Sequence, residues 1–203
     1  MKAIQYQKQA VYPSKVVCIG NNYVEHINEM DGLVPDEMVI FFKPNASVTD
    51  QIYASTSTLI HYEAELSFLI RSDEIVAVGF GLDLTKREVQ RQLKDKGLPW
   101  ERAKAFSGSA VFSEFVPING DVSNLRLQLF INDELVQYGG VDLMLHKPDA
   151  VLAEVTSFMP FEDDDILMTG TPKGVGEVKA GAHFVGQIFL NDKLLIEQHW
   201  QVN

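Results

Sequence analysis

Residues 61–70 read His-Tyr-Glu-Ala-Glu-Leu-Ser-Phe-Leu-Ile and alternate with a period of two. Successive side chains of a β-strand point to opposite faces, so this pattern predicts a strand with one apolar face and one face that carries Glu63 and Glu65. The two carboxylates would lie about 7 Å apart along the strand, a separation from which both can reach one hard cation such as Mg²⁺. A polar strand face in water gives the same pattern, and spacing alone favours that second interpretation.

The length and composition of the chain limit its architecture. A chain of 203 residues of which 46% are hydrophobic can bury a full core. The length is compatible with one domain. We therefore expect a single domain over residues 1–203.

Charge and cysteine content exclude several classes of protein. The net charge of −11 and the isoelectric point near 4.8 oppose nucleic-acid binding, because phosphate backbones are bound by clusters of Lys and Arg. Cys18 is the only cysteine, which excludes a disulfide framework or a multi-cysteine zinc site within one chain. Residues 1–10 lack a signal-peptide core, and no later segment reaches membrane-spanning length. We expect a cytoplasmic protein with no membrane partner.

Hydrophobic runs bounded by turn residues predict more strands than helices. Two segments, 125–138 and 184–200, are typical of β-hairpins with turns near Asn132-Asp133 and Asn191-Asp192. Together with the remaining segments they indicate an α+β fold dominated by β-strands. The other predicted strands are 15–20, 38–43, 75–82 and 166–168, and the predicted helices are a segment ending at Met30, 85–96 and 148–158.

The helix that starts near Thr85 has a strong sequence signal. Thr85 and Glu88 have the spacing of a capping box, and Gly97 follows the last helical residue. Arg87 and Gln90 would share one face near the helix N-terminus, where free amides and the helix dipole favour an anion. An ordinary solvated helix face is an equally good interpretation of that pair.

His26 and Glu29 form a second candidate site. At a separation of three they lie on one helical face, where the carboxylate can orient and charge the imidazole for proton transfer. The alternative is a solvated surface pair. The following loop, residues 31–37, contains Gly32 and Pro35, so helix and loop together could close as a lid.

Three further features have the chemistry of a site. Asp83 ends a predicted strand that contains two glycines, a place where site residues are often presented. Lys104 has apolar neighbours and is either a fixed cation or a side chain that extends to solvent. Residues 169–176 form a glycine-rich loop that could offer backbone amides and the Thr171 hydroxyl to an oxyanion. Its spacing differs from that of a Walker loop.

Taken together, these motifs resemble the fumarylacetoacetate hydrolase superfamily, in its short single-domain branch. The resemblance covers nearly the full length, and several independent motifs occur in the family's order. They are residues 15–20, Asn22-Tyr23 with His26 and Glu29, Phe42-Lys43-Pro44, His61 with Glu63 and Glu65, residues 82–85 with Arg87 and Gln90, residues 96–100, residues 103–106 and residues 167–176.

The resemblance implies an irregular mixed β-sandwich or roll with a few short helices, as in the C-terminal domain of the family. It also implies that Glu63, Glu65 and Asp83 are the ligands of Mg²⁺, for which Mn²⁺ can substitute. Further roles follow from matching positions: Lys104 beside the charge that develops on the substrate, His26 and Glu29 as the pair that activates water, and Arg87, Gln90, Gly170 and Thr171 in substrate binding.

The implied activity is Mg²⁺-dependent hydrolysis of a carbon–carbon bond in a small 2,4-dioxo acid of the acylpyruvate or fumarylpyruvate type. Water activated by His26 would attack the distal carbonyl, and pyruvate would leave as an enolate held at the metal. The alternatives are an oxaloacetate decarboxylase or tautomerase, or a 2-hydroxyhepta-2,4-diene-1,7-dioate isomerase, each using the same metal site. A metal-binding module without catalysis is a further alternative, and a homodimer is expected.

Some positions depart from the family pattern. Asn21 stands where many members have Arg, and Tyr62 where the short branch often has a second His. Val141 and Asp142 replace residues that commonly carry hydroxyls. These exchanges remove groups that would pair with a distal carboxylate, so the sequence leaves the identity of the substrate open.

Overall fold

A computed structural model describes all residues from 1 to 203. Strands dominate it, as predicted. The strands are β1 (Ile4–Tyr6), β2 (Gln9–Val11), β3 (Lys15–Gly20), β4 (Val39–Pro44), β5 (Val48–Thr49), β6 (Ile60–Tyr62), β7 (Ala64–Arg71), β8 (Glu74–Asp83), β9 (Thr85–Lys86), β10 (Ala110–Phe112), β11 (Val116–Pro117), β12 (Leu125–Ile131), β13 (Glu134–Gly140), β14 (Ile166–Met168), β15 (Gly176–Glu177), β16 (His183–Leu190) and β17 (Lys193–Gln201). The helices are α1 (Val24–Glu29), α2 (Arg87–Asp95), α3 (Glu101–Lys104) and α4 (Pro148–Phe158), with 3-10 turns at Asn45–Ser47, Val122–Asn124 and Val141–Leu143.

The largest sheet is mixed and has β7 near its middle. Its strands follow the order β4-β3-β14-β7-β8-β10-β5, and β11 also pairs with β8. The pairs β14–β3 and β10–β5 are parallel, and the other neighbours are antiparallel. A four-stranded sheet, β13-β12-β16-β17, is built from the two predicted hairpins. This arrangement confirms the predicted β-dominated α+β fold.

The period-two pattern of residues 61–70 sets the core. Tyr62, Ala64, Leu66, Phe68 and Ile70 are buried in one large cluster together with residues of the four-stranded sheet. The opposite face is buried too, because β14, β1 and β2 contribute to a second cluster there that includes Leu69. The acidic face of the strand is therefore not in water.

The hairpin turns have the backbone that their sequences predict. Asn132 and Asp133 have φ values of 50° and 68°, and Asn191 has φ 53°. Asn and Asp tolerate this left-handed conformation better than most residues, which explains their place in two-residue hairpin loops.

One local prediction is wrong. Thr85 does not cap the second helix, since the N-cap is Lys86 and makes no side-chain capping bond. Thr85 is instead part of β9, and its buried hydroxyl donates to the Asp83 carbonyl at 3.1 Å. Glu88, the expected partner in the capping box, pairs with Arg91 on the exposed helix surface at 2.9 Å.

None of the four helices has the length and apolar character that a bilayer crossing needs.

Gly186 marks a close approach between the two large sheets. A Cβ at this position would lie 2.7 to 2.8 Å from three atoms of the Phe80 ring. Because overpacking a filled core costs about 1 to 3 kcal/mol, Gly186→Ala should lower the free energy of unfolding by that amount in urea titrations. The neighbour Gln187 is only partly buried, so Gln187→Ala should change it by about 0.5 kcal/mol or less. Equal changes in the free energy of unfolding for the two variants would contradict the packing of Gly186 against Phe80.

Candidate active site

Three carboxylates converge at one end of the β7–β8 pair. Glu63 lies between β6 and β7, Glu65 lies on β7, and Asp83 is the last residue of β8. Their exposed fractions are 4%, 1% and 1%. One oxygen from each lies within 4.8 Å of the others. The sheet register explains the convergence, because Ala64 pairs with Leu82 and the Asp83 amide donates to the Glu63 carbonyl at 2.8 Å.

Lys104 balances two of these carboxylates. Its ammonium donates to Glu63 at 2.7 Å, to Asp83 at 2.6 Å and to the Thr85 hydroxyl at 2.7 Å, and the side chain is buried. Burial alone would lower the pKa of Lys104, but the charges of Asp83 and Glu63 raise it above its usual range. Lys104 is therefore a fixed cation rather than a side chain that extends to solvent.

Glu63 and Glu65 differ in their partners and therefore in their pKa. Burial opposes ionisation of Glu63, yet the charges of Lys104 and Arg87 hold its pKa well below the usual range. Glu65 touches no cation and accepts one hydrogen bond, from the Gly170 amide at 2.7 Å. Burial and the charges of Asp83 and Glu63 raise the pKa of Glu65 well above its usual range.

Lys43 is a buried neighbour of the triad that sequence reasoning did not assign. Its side chain is fully buried, and Nζ lies 2.8 Å from Asp83 Oδ1. The protons of Lys43 are directed elsewhere, to the carbonyls of Lys104 and Leu84 and to the Ser109 hydroxyl, so Asp83 Oδ1 accepts no hydrogen bond. A lysine inside the apolar strand β4 was the signal that could have identified it, since a buried ammonium needs partners.

The triad fits a hard divalent cation. Its donors are oxygens, they are close together and buried, Glu65 has no cationic partner, and one Asp83 oxygen lacks a donor. Mg²⁺ and Mn²⁺ prefer carboxylate oxygen ligands, so the residues present match the group that the sequence predicts.

The His26–Glu29 pair is formed as the spacing predicts. His26 Nδ1 lies 3.1 Å from Glu29 Oε2. The other Glu29 oxygen accepts from the Gly174 amide at 2.9 Å, which ties α1 to the glycine-rich loop. Nδ1 is thus engaged, and Nε2 is the nitrogen left to exchange protons with a substrate.

A cavity of about 460 Å³ opens beside the triad. It includes most of the predicted site residues: His26, Glu63, Glu65, Asp83, Arg87, Gln90, Lys104 and Thr171. Glu29 and Gly170 do not line it, but they contact His26 and Glu65, which do. Arg87 and Gln90 share one face of α2, where Arg87 Nη1 donates to Gln90 at 2.9 Å and Nη2 contacts Glu63.

The glycine-rich loop, residues 169–176, contacts the strand that carries Glu65. The Gly170 amide is bound to Glu65, and the Thr171 hydroxyl donates to the Ala64 carbonyl at 2.9 Å. Gln137, on β13, donates to the Thr171 hydroxyl at 2.9 Å and accepts from the Ala64 amide at 2.9 Å. Gln137 was not identified from sequence, because a polar residue in a hairpin strand gives no sign of the distant loop that it contacts.

Comparison with known proteins gives a family match and several relatives. The family model described as fumarylacetoacetate hydrolase C-terminal matches residues 15–197. The chain is 40% identical over 189 residues to the oxaloacetate tautomerase YcgM of Escherichia coli, covering 84% of this chain and 86% of that protein. It is 35% identical over 193 residues to the mitochondrial oxaloacetate tautomerase FAHD1 of Bos taurus, covering 84% and 87%.

A solved structure gives the same result for the fold. The fumarylpyruvate hydrolase of Pseudomonas aeruginosa, in complex with Mn²⁺ and pyruvate, superposes with a TM-score of 0.88 at 26% identity. The match covers 99% of this chain and 95% of that one. This confirms the family fold that the sequence predicts. The chain is an enzyme of the fumarylacetoacetate hydrolase family.

Proposed function

We propose that this enzyme interconverts the enol and keto forms of oxaloacetate with the help of a divalent cation. The observation that carries the proposal is a buried triad of Glu63, Glu65 and Asp83 beside Lys104, in a chain 40% identical to an oxaloacetate tautomerase. The sequence predicts hydrolysis of a 2,4-dioxo acid first, and the relatives favour its tautomerase alternative instead.

The reaction moves one proton and leaves the carbon skeleton intact. The enol releases the proton of its C2 oxygen to solvent, C3 gains a proton from the enzyme to give the ketone, and the enzyme regains that proton from solvent. Lys104, fixed as a cation, would stabilise the negative charge on the C2 oxygen between these two steps. His26 Nε2 would deliver the proton to C3, and Glu29 would orient the imidazole through Nδ1.

A bound Mg²⁺ or Mn²⁺ would be held by Glu63, Glu65 and Asp83. Its contribution would be that of a Lewis acid, which lowers the free energy of an enolate. Arg87 and Gln90 would fix the 2-oxo carboxylate end of the substrate, and Thr171 lines the same cavity.

Hydrolysis of an acylpyruvate is the second candidate. The His26–Glu29 pair favours it, because a carboxylate-oriented imidazole is also the arrangement that activates water. The solved fumarylpyruvate hydrolase with the same fold supports this candidate as well.

One experiment separates the two candidates. Enol oxaloacetate is added to the protein with Mg²⁺ in D₂O, and the loss of enol absorbance is followed together with the products by NMR. A tautomerase accelerates enol loss over the buffer rate and yields keto oxaloacetate with deuterium at C3. Cleavage of acetylpyruvate to pyruvate and acetate, without faster enol loss from oxaloacetate, would instead establish hydrolysis.

The homodimer stays a prediction. The cytoplasmic location stays a prediction as well, since the relatives include both a bacterial and a mitochondrial protein. Size-exclusion chromatography with light scattering would test the homodimer.

A further inference from the structure

Lys94 extends the wall of the cavity beyond the carboxylate triad. It lies in the last turn of α2 and lines the same cavity of about 460 Å³. Its Nζ is 4.6 Å from the centroid of the Trp100 ring, within the range of a cation–π contact. The Trp100 ring in turn lies 3.6 Å from the position that a Cβ on Gly20 would take, next to Asn21. Lys94, Trp100 and Asn21 therefore belong to one continuous part of the wall.

The charge of Lys94 is the one left unbalanced among the cations of this cavity. Arg91 pairs with Glu88 at 2.9 Å, Arg87 pairs with Glu63, and Lys104 is held by two carboxylates. The Lys94 side chain makes no ion pair and no hydrogen bond. The residue as a whole is exposed, yet partial burial of its ammonium, followed by the charges of Lys104 and Arg87, lowers the pKa of Lys94.

An anion is the ligand that such an ammonium favours. A substrate carboxylate near Lys94 would gain a charge-assisted hydrogen bond in a partly desolvated cavity. The Trp100 ring holds the ammonium in place beforehand, which reduces the entropy lost when a ligand binds. Asn21 offers an amide at this part of the wall and cannot supply the charge itself.

We propose that Lys94 binds the distal carboxylate of a dicarboxylic 2-oxo acid and thereby selects oxaloacetate-like substrates over those with a neutral distal group. The proposal rests on the tautomerase function given above, and it adds the residue that recognises the far end of the substrate. The 2-oxo carboxylate end would remain with Lys104, Arg87 and the triad that would hold the cation.

The test compares oxaloacetate with its 4-methyl ester, which keeps the enolisable half and loses the distal charge. Lys94→Gln should raise KM for oxaloacetate about five- to twentyfold, the loss expected for one partly exposed charge-assisted bond, with kcat changed little. KM for the ester should stay within about twofold. Lys94→Arg should restore most of the preference for oxaloacetate, because it restores the charge.

Lys96 provides the matched control. It caps the C-terminus of the same helix, is exposed and does not line the cavity. Lys96→Gln removes the same charge from the chain and should leave both KM values unchanged. If Lys96→Gln raised KM for oxaloacetate as much as Lys94→Gln did, the effect would come from the change in net charge and not from contact with the substrate. That result would overturn the proposal.

Calorimetry gives a second measurement that does not depend on turnover. With Mg²⁺ present, oxalate should bind the parent and Lys94→Gln equally, because oxalate occupies only the 2-oxo carboxylate end. Oxaloacetate should bind Lys94→Gln more weakly than the parent. If the parent neither binds nor converts oxaloacetate, the proposed tautomerase function is wrong. If the parent is active and Lys94→Gln keeps the preference for oxaloacetate over the ester, only the role of Lys94 is wrong.

Discussion

Glu65→Gln should abolish high-affinity Mg²⁺ binding and at the same time stabilise the cation-free protein. Replacing residues that only support metal ligands already costs about 10- to 100-fold in affinity, so loss of a ligand charge should cost more than about 100-fold. The gain in stability follows from the surroundings of Glu65, which is buried beside two carboxylates and touches no cation.

The sign of the stability change follows from the pKa. The pKa of Glu65 is raised in the folded protein, so the ionised form opposes folding at every pH above the pKa of the unfolded chain. A neutral amide of the same shape removes this cost near pH 7. Glu63 is the opposite case, since its pKa is lowered and its ionised form stabilises the fold. Stability from Glu63 is present above the unfolded pKa and is lost as the pH falls through the folded one.

Glu63→Gln is therefore the matched variant. Both substitutions should weaken Mg²⁺ binding in calorimetry with oxalate present. In urea titrations without divalent cations at pH 7, Glu65→Gln should raise the free energy of unfolding and Glu63→Gln should lower it. If either folded variant binds Mg²⁺ as tightly as the parent, the triad is not the cation site. If Glu65→Gln is less stable than the parent, the charge of Glu65 is compensated in the folded protein, contrary to the argument above.

Alternation and turn chemistry predicted most of the fold. The segments 15–20, 148–158 and 166–168 form the predicted elements with the predicted bounds. Residues 61–70 are not one strand as predicted, because β6 ends at Tyr62 in a separate sheet and β7 begins at Ala64, with Glu63 between them. These signals are local, because they depend on strand and helix periods and on turn residues. What alternation could not tell is whether the face of Glu63 and Glu65 lies in water, since that depends on distant segments that cover it.

The candidate site could be assembled from sequence only where the family resemblance supplied the matches. Spacing alone left a solvated interpretation open for Glu63 with Glu65 and for His26 with Glu29, and the structure buries the first pair and joins the second. Thr85 shows the limit of local rules, because its hydroxyl is used by Asp83 and Lys104 rather than by the helix. Contacts between residues far apart in the chain decide these cases.

His26→Ala should lower the rate of enzymatic oxaloacetate tautomerisation by about 10² to 10⁴, or about 3 to 5 kcal/mol of barrier, because it removes the group that delivers the proton to C3. Binding of Mg²⁺ with oxalate should be unchanged, since the triad and Lys104 remain. Glu29→Gln should act in the same direction and less strongly, because a neutral amide still orients the imidazole but no longer supports its charge. The measurement is steady-state turnover, with cation and oxalate affinity determined on the same preparations.

Glu25→Gln is the control for the helix. Glu25 lies on α1 as Glu29 does and pairs with Lys173 at 2.8 Å on the exposed surface, without contacting His26. Its loss should leave turnover within about twofold of the parent, since exposed ion pairs contribute little. If His26→Ala abolished cleavage of acetylpyruvate but left oxaloacetate tautomerisation intact, the imidazole would serve to activate water. That outcome would contradict the role of His26 as the proton donor to C3 and would assign the imidazole to hydrolysis, because an attacking water requires a base that the enolate reaction can do without.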